Sequence, residues 1–369
     1  MKENNLIFLI SQPRSGSTLL QKLLSGNSRI FTVTEPWIML HPVYSFKKTG
    51  IYTEYDRDIE SQATEEFIDK IPGGGKKIYL DALKDMYLGL YDRYLQTTEK
   101  DFFLDKTPRY YLILDELMEL YPYAKFILLR RNPLSVLHSI ISTWTKDSGY
   151  RLLNLHHDLK TAIVNFDKYH DAENVFHLKY ESLIDHPEST LSDLCQYIGV
   201  RYEENMLSYD SKEKWALGDQ KVYKNSKIAS DRKYLWATDK LSDQAWRTLH
   251  DYMEWIGQER MTKSGYEYDE TRSFLYKNIP NENIEKIMVD TNRLDDLLNI
   301  SNSCLFHNDK LKIGNIEDPV ELHSLCDVCD DYSKLKERID QYSELSVVRR
   351  PIAKLKSLYH LLAAVKSIE

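Results

Sequence analysis

The chain has 369 residues, of which 42% are apolar and 29% are charged, and these fractions are ordinary for a globular protein. This length allows one large domain or two smaller ones. The formal net charge is −8 and no block of lysine or arginine stands out, which argues against a dedicated nucleic-acid-binding protein. Any site for an anion must therefore be a local pocket in an acidic protein.

No segment of the sequence predicts a membrane span or a secretion signal. The N-terminal apolar run covers only residues 6–10, far short of the ~20 residues that cross a bilayer, and no later run reaches that length. Four cysteines in a chain of this length do not indicate a disulfide framework. We therefore expect a cytoplasmic protein with no integral membrane segment.

Hydrophobic patterning predicts strands that alternate with helices. In chain order the predicted elements are strand 6–11, helix 17–26, strand 30–33, a loop-rich stretch over 35–75, helix 77–96, strand 102–105, helix 109–120, strand 125–130 and helix 133–144. A further strand in "NVFHLKYESL" leads into a helix that runs through "STLSDLCQYIGV". This alternation predicts an α/β fold with a mostly parallel sheet, covered by helices on both faces, whose ligands lie at the carboxyl ends of the strands.

The pattern changes after "SGYEY", residues 264–268. Residues 271–369 contain amphipathic helical patterns such as "IAKLKSLYHLLAAVKSI" but no convincing buried strand. We therefore predict a main domain over residues 1–270 and a helical C-terminal extension over residues 271–369, which can serve to form a homo-oligomer or to cover a site.

The stretch "SQPRSGST", residues 11–18, joins the first strand to the first helix. Backbone N–H groups of such a loop converge with the positive end of the helix dipole, and Arg14, Ser17 and Thr18 add donors, so the loop suits a phosphate. A Walker A loop carries a lysine after its last glycine, whereas here Gly16 is followed by Ser17. The alternative is a Ser/Gly turn that only caps the helix.

A second anion site is indicated by "ILLRRNPLSVLHS". A buried strand that ends in two arginines is costly unless an anion lies at its end. Arg131 follows the strand and Ser139 lies about two helical turns later, so the two can hold a phosphate from opposite sides. A Walker B strand would end in an aspartate for Mg²⁺, and this one does not. The pattern predicts two separately bound phosphates and no metal.

The blocks "QPRSGSTLL", "RNPLSVLHS" and "LKYESLIDHPESTLSDLCQYIGV" resemble those of sulfotransferases that use 3′-phosphoadenosine 5′-phosphosulfate (PAPS), and the similarity covers roughly residues 5–268. The resemblance implies a P-loop-NTPase-like parallel sheet flanked by helices. It also implies that the 5′-phosphosulfate is held by Arg14, Ser15, Gly16, Ser17 and Thr18. By the same resemblance, Arg131 and Ser139 hold the 3′-phosphate, and Tyr180 lies near the adenine.

Sulfuryl transfer needs a base for the acceptor hydroxyl and cations for the charge that develops on the leaving group. In the cytosolic steroid and phenol branch a catalytic histidine follows a lysine by two residues, but here Lys106 is followed by Pro108. Glu35 is the best candidate base, because it resembles the glutamate found after the second strand in tyrosylprotein, bacterial glycolipid and polyketide-tailoring sulfotransferases. Lys106 and Arg14 would then stabilise the transferring group.

Several further residues remain candidates. His41 and His138 are alternative bases. The stretch 215–236 resembles the family's late loop, whose Lys221 and Lys224 can reach the cofactor phosphates or simply face solvent.

Two pairs near the C-terminus have a spacing close to that of a zinc site. These are Cys304 with His307 and Cys326 with Cys329. The second pair lies on an apolar helical stripe, which favours core packing over zinc.

The sequence thus predicts a PAPS-dependent sulfotransferase that needs no metal and acts on a hydroxyl of a small-molecule, natural-product or glycolipid acceptor, with a carrier-bound acceptor as a special case. Trp37, Tyr44, Tyr87, Tyr91 and Trp144 can line the acceptor pocket or equally belong to the core. One alternative is a P-loop kinase-like phosphotransferase with a degenerate Walker A loop, and another is a nucleotide-binding scaffold without turnover.

Overall fold

A computed structural model describes residues 1–45, 47, 53–145, 157–208, 215, 217–219, 222, 235–239, 241 and 243–278. Lys221, Lys224 and nearly all of the predicted C-terminal extension, with the cysteine and histidine pairs at 304–307 and 326–329, lie outside these residues. The predicted division at residue 270 stays a prediction, although one helix, Tyr268–Asn278, runs across it.

The centre of the fold is a sheet of five parallel strands in the order β2-β3-β1-β4-β5. The strands are β1 (Leu6–Ser11), β2 (Ile30–Thr32), β3 (Phe102–Lys106), β4 (Lys125–Arg130) and β5 (Val175–Lys179). Every residue of β1 is buried, because helices cover both faces of a parallel sheet. This confirms the predicted α/β class and places the carboxyl ends of the strands along one edge.

The helices are α1 (Ser17–Ser25), α2 (Leu40–Tyr44), α3 (Arg57–Asp69), α4 (Gly75–Leu95), α5 (Leu114–Leu120), α6 (Pro133–Ile140), α7 (Ala162–Lys168), α8 (Tyr180–Asp185), α9 (Pro187–Ile198), α10 (Leu235–Thr238), α11 (Asp243–Lys263) and α12 (Tyr268–Asn278). Helices α4, α5 and α7 pack on one face of the sheet, and α1, α8 and α9 pack on the other. A third apolar layer joins α6 to α10, α11 and α12. None of the helices described is long and apolar enough to cross a bilayer.

Two predicted elements differ from the structure. The stretch expected to be loop-rich contains α3, whose N-terminus is capped by the Asp56 carboxylate; this helix buries few side chains, so its apolar pattern is weak. The helix expected over 109–120 begins instead as a 3₁₀ helix, Pro108–Ile113, and becomes α-helical only from Leu114. The proline at the first position suits a helix start but supplies no backbone donor.

Candidate functional site

The carboxyl edge of the sheet gathers the side chains on which the sequence interpretation depends. The loop after β1 leads into α1, and β3 ends in a buried lysine. In the same way, β4 is followed by an arginine and β5 by the tyrosine that begins α8. The residues brought together are Arg14, Lys106, Arg131 and Tyr180. Parallel strands therefore place four chain-distant groups at one edge of the sheet.

The loop over residues 12–16, here called the phosphate loop, has the backbone of an anion nest. Arg14 and Gly16 both have a left-handed backbone, with φ of 70° and 93° respectively, and α1 begins directly after Gly16 without a side-chain cap. Such alternation turns successive N–H groups toward one point. Among the residues described, the buried Ser15 Oγ has no hydrogen-bond partner. A buried donor of this kind suits an anionic ligand.

The ring of Tyr180 packs directly on Gly16. A Cβ atom added at Gly16 would overlap this ring, lying 2.5 Å from its Cε2 atom. Glycine is therefore required here for two reasons, the left-handed backbone and the missing side chain. Tyr180 is buried and forms one wall of the site.

Replacing Gly16 with alanine is expected to lower the free energy of unfolding by about 1–3 kcal/mol, because the backbone is strained and Tyr180 must move. Denaturant titration measures the change. Gly89→Ala is the matched control: Gly89 is exposed on α4, a Cβ there meets open space, and alanine should add up to about 1 kcal/mol. A Gly16→Ala protein as stable as the wild type would contradict the packing described here.

The two arginines at the end of β4 point in different directions. Arg130 Nη1 donates to Asp167 Oδ1 and to Ser264 Oγ, each at 3.0 Å, so the protein itself supplies the anion beside it. Arg131 instead faces the site, where it donates to the carbonyl of Arg14 at 3.0 Å and stacks over Tyr180 at 4.6 Å. Burial lowers the pKa of Arg131, which marks a cation held in a poorly solvated place.

Ser139 lies beside the phosphate loop. Arg14 Nε donates to Ser139 Oγ at 3.1 Å, and Arg14 Nη2 lies 3.3 Å from Asp219 Oδ2. The backbone N–H of Asp219 donates to Thr18 Oγ1 at 3.0 Å. The Asp219 carboxylate therefore occupies a position next to Arg14 that would suit an anionic ligand.

Lys106 and Glu35 form an ion pair at the end of β3. Lys106 is fully buried, and its Nζ atom lies 2.5 Å from Glu35 Oε1 and 3.5 Å from Thr18 Oγ1. Burial lowers the pKa of Lys106, while the Glu35 charge and hydrogen bond oppose that shift. Gln21 on α1 holds the chain just before Glu35 by donating to the Val33 carbonyl at 2.5 Å. The two residues predicted to do the chemistry are thus in direct contact.

Behind Lys106, a buried carboxylate anchors the end of β3. Asp105 Oδ2 accepts hydrogen bonds from Tyr91 at 2.6 Å and Tyr110 at 3.1 Å, and Oδ1 accepts one from Thr107 at 2.9 Å. Burial raises the pKa of Asp105 to about 6, although these hydrogen bonds favour the ionised form.

The raised pKa of Asp105 predicts a pH-dependent stability. The protonated carboxyl stabilises the folded state below about pH 4, and this contribution is lost as the pH rises to about 6. Relative to Asp105→Asn, the wild type should lose up to about 3 kcal/mol of unfolding free energy across that interval. Urea titrations of both proteins at several pH values measure the difference. Parallel stability curves for the two proteins would contradict the assignment.

The other residues that the sequence indicated as candidates lie in different environments. His41 is exposed on α2, and His138 is buried with its Nε2 atom 3.1 Å from Asp239 Oδ2. Tyr87 and Tyr91 belong to the core. Of the other aromatic candidates, Tyr44 is half-buried and packs at the edge of the core, while Trp37 contacts Glu35 and Trp144 lies 5.8 Å from the Arg14 guanidinium.

Sequence reasoning missed three contributors to the site. These are Asp105, Thr107 and Asp219. Asp105 and Thr107 flank Lys106 in the sequence, so their position near the site was predictable. The residues that they contact come from other segments and were not predictable. Asp219 lies in the stretch 215–236 that resembles the family's late loop, where the sequence indicated only Lys221 and Lys224 as candidates. Within the part of the chain described, no three His, Cys, Asp or Glu side chains meet to hold a metal ion.

A parallel sheet with a left-handed, glycine-containing loop and a helix N-terminus at its carboxyl edge defines a P-loop-like α/β fold, an arrangement that suits a phosphorylated ligand. The model of the sulfotransferase family matches residues 6–204, more than half of the chain. The chain therefore belongs to the sulfotransferase family, which disfavours the kinase alternative.

Individual relatives cover only parts of the chain. The nodulation protein NoeE of Sinorhizobium fredii (strain NBRC 101917 / NGR234) is 36% identical over 140 residues, which make up 38% of this chain and 32% of NoeE. Protein-tyrosine sulfotransferase 2 of Gallus gallus is 26% identical over 225 residues, 57% of this chain and 55% of that protein. The chain thus spans about a third of NoeE and about half of the chicken enzyme.

Among solved structures, the sulfotransferase domain from the curacin biosynthetic pathway has a similar fold. The alignment covers 71% of this chain and 97% of that domain. The sequence identity is 21% and the TM-score is 0.45.

Proposed function

We propose that this protein transfers the sulfuryl group of PAPS to a hydroxyl group of a small-molecule, natural-product or glycolipid acceptor, including one bound to a carrier. The observation that carries the proposal is the buried Lys106–Glu35 pair, 2.5 Å apart, directly beside a phosphate loop that has no Walker lysine. A base and a cation meet there at the point where a phosphate-linked group would be held.

The residues present fit a ligand with two anionic ends. Ser15 Oγ is buried without a partner among the residues described, and Arg14 and Gly16 have the left-handed backbone of an anion nest. The proposed 5′-phosphosulfate site comprises Arg14, Ser15, Gly16, Ser17 and Thr18. Arg131 and Ser139 are proposed for the 3′-phosphate, with Tyr180 near the adenine. Lys221 and Lys224 stay candidates for further phosphate contacts, and no metal is assigned a role.

Bound PAPS would supply the sulfuryl group, and the chain's residues would direct its transfer. Glu35, whose carboxylate contacts Lys106 and Trp37, is proposed to accept the proton of an acceptor hydroxyl. Lys106 keeps a positive charge next to the phosphate loop, where it can offset the charge that develops on the departing phosphate oxygen. Arg14 must exchange Asp219 for the anion, which makes binding a competition between two anions.

The acceptor is inferred only as a class. Trp37 and Trp144 are half-buried near Glu35 and Arg14, and indole faces of this kind suit a ring-bearing or apolar acceptor. Cytoplasmic location and assembly through the C-terminal helices stay predictions.

The donor is tested by thermal unfolding in the presence of adenosine 3′,5′-bisphosphate, the product that PAPS leaves behind. A ligand at 100 times its dissociation constant stabilises the folded state by about 2.7 kcal/mol, so the midpoint should rise clearly. ATP with Mg²⁺ should have a smaller effect, whereas the reverse order would favour the kinase alternative. A midpoint that does not move at millimolar bisphosphate would overturn the proposal. Binding without transfer across a broad acceptor screen would favour the scaffold alternative.

A further inference from the structure

The second oxygen of Glu35 has its own dedicated donor. Trp37 Nε1 donates to Glu35 Oε2 at 2.9 Å, while Lys106 occupies Oε1. We infer that Trp37 is a positioning residue, which fixes the orientation of the Glu35 carboxylate and keeps it ready to accept a proton. This inference rests on the function proposed above, because it concerns the proposed base.

The backbone of Trp37 is held in an unfavourable conformation. Its φ of 60° lies in the left-handed region, which a bulky residue rarely adopts. Such a conformation persists only where the surroundings enforce it. Here the backbone N–H of Trp37 donates to Thr107 Oγ1 at 3.3 Å, and the fully buried Thr107 hydroxyl in turn donates to Asp105 Oδ1 at 2.9 Å. The end of β3 therefore sets the backbone of the Glu35 loop.

The indole ring is fixed from a third direction. The Arg109 guanidinium lies 5.5 Å from the centre of the Trp37 ring. Arg109 is itself immobilised, because Nε and Nη2 donate to the two oxygens of Asp158 at 3.0 and 2.7 Å. A bidentate pair of this kind is among the best-oriented contacts in proteins. Ring, backbone and Nε1 thus have separate partners, and all three orient the indole toward Glu35.

The charges around this carboxylate determine what the loss of Trp37 would do. Lys106 contacts Glu35 directly, Asp105 and Asp219 act on Lys106, and Arg109 lies over the indole. Without the indole donor, Lys106 is the one described group that would still hold the carboxylate, so its orientation toward an acceptor hydroxyl would no longer be fixed.

The hydrogen bond itself can be tested without any acceptor, using full-length protein labelled with ¹⁵N at the tryptophan indoles. Trp37→Phe assigns the Trp37 resonance by its disappearance. In Glu35→Ala this resonance should move upfield by more than any other indole signal, because the carboxylate acceptor is gone. An unchanged Trp37 resonance in Glu35→Ala would overturn the inference, even if bisphosphate binding confirmed the proposed function.

The consequence for catalysis is tested with a matched pair of variants at the anchor. Trp37→Phe and Thr107→Val should each lower kcat by about tenfold, with the KM for PAPS changed by less than about twofold, because orientation of the base is lost while donor binding is not. Thr107→Ser keeps the hydroxyl and should restore the rate lost in Thr107→Val. Equal rates in the valine and serine variants, or a Trp37→Phe variant whose kcat matches that of the wild type, would contradict a positioning role.

Discussion

Glu35→Gln is expected to lower kcat for sulfuryl transfer by about 10³-fold, within the usual range for the loss of a general base. The side chain keeps its size and can still accept a hydrogen bond from Trp37, but it can no longer take a proton from the acceptor. Binding of adenosine 3′,5′-bisphosphate should persist, because Glu35 is not proposed to touch the donor phosphates. Release of bisphosphate from PAPS in the presence of an acceptor measures the rate.

A surface substitution of the same chemistry controls for this experiment. Glu65→Gln changes an exposed residue on α3 and should leave both binding and turnover unchanged. If Glu35→Gln transferred sulfate at a rate close to that of the wild type, the proton would have to go elsewhere. The buried His138 and the exposed His41 would then be the next candidates to replace.

Lys106→Ala should lower kcat by about 10²–10³-fold, the usual effect of removing one electrostatic stabiliser from a dry site. Lys106 is fully buried, and its ammonium group lies between Glu35 and Thr18. No other lysine in the described part of the chain contacts both of these residues. Steady-state rates of sulfuryl transfer measure the effect.

Lys77→Ala, on the exposed surface of α4, is the control for a simple loss of charge. The double variant of Lys106→Ala and Glu35→Gln adds a second check. Residues that work as a unit give strongly non-additive losses, so the double variant should be little slower than the worse single variant. Fully additive losses would mean that the two residues act independently, in disagreement with their direct contact.

The sequence was sufficient to predict the strands that carry the candidate site. Apolar runs predicted β1, β3 and β4, and parallel strands necessarily bring their carboxyl ends to one edge. Arg14, Lys106 and Arg131 lie at or just after the ends of these strands, although they are far apart in the chain. Glu35 was proposed from the family resemblance, and the structure places it against Lys106.

One finer point was also within reach of the sequence. Arg130 and Arg131 are adjacent at the end of a strand, and successive side chains of a strand point to opposite faces. Only one of the two was therefore able to face the site, whereas the sequence interpretation treated both as a reason to expect an external anion. The structure pairs Arg130 with Asp167, an internal partner.

Other features were not predictable because they depend on the arrangement of distant loops. The left-handed backbone of Trp37 has no local sequence signal, since it is imposed by a hydrogen bond to Thr107, 70 residues away. The contact of Asp219 with Thr18 joins positions 201 residues apart. Nothing in the local pattern distinguishes Asp219 from a solvated carboxylate.

The central claim is that two separate anion sites accept the two phosphorylated ends of one nucleotide. Titration calorimetry can test it directly by comparing adenosine 3′,5′-bisphosphate with adenosine 5′-phosphate, in the wild type and in Arg131→Ala. The wild type should prefer the bisphosphate by at least about tenfold, as expected for one charge-assisted contact, and the variant should lose most of that preference. Loss of the Tyr180 stacking contact should affect both ligands equally and so cancel from the ratio. A wild type without preference, or a variant that keeps the full preference, would contradict the account.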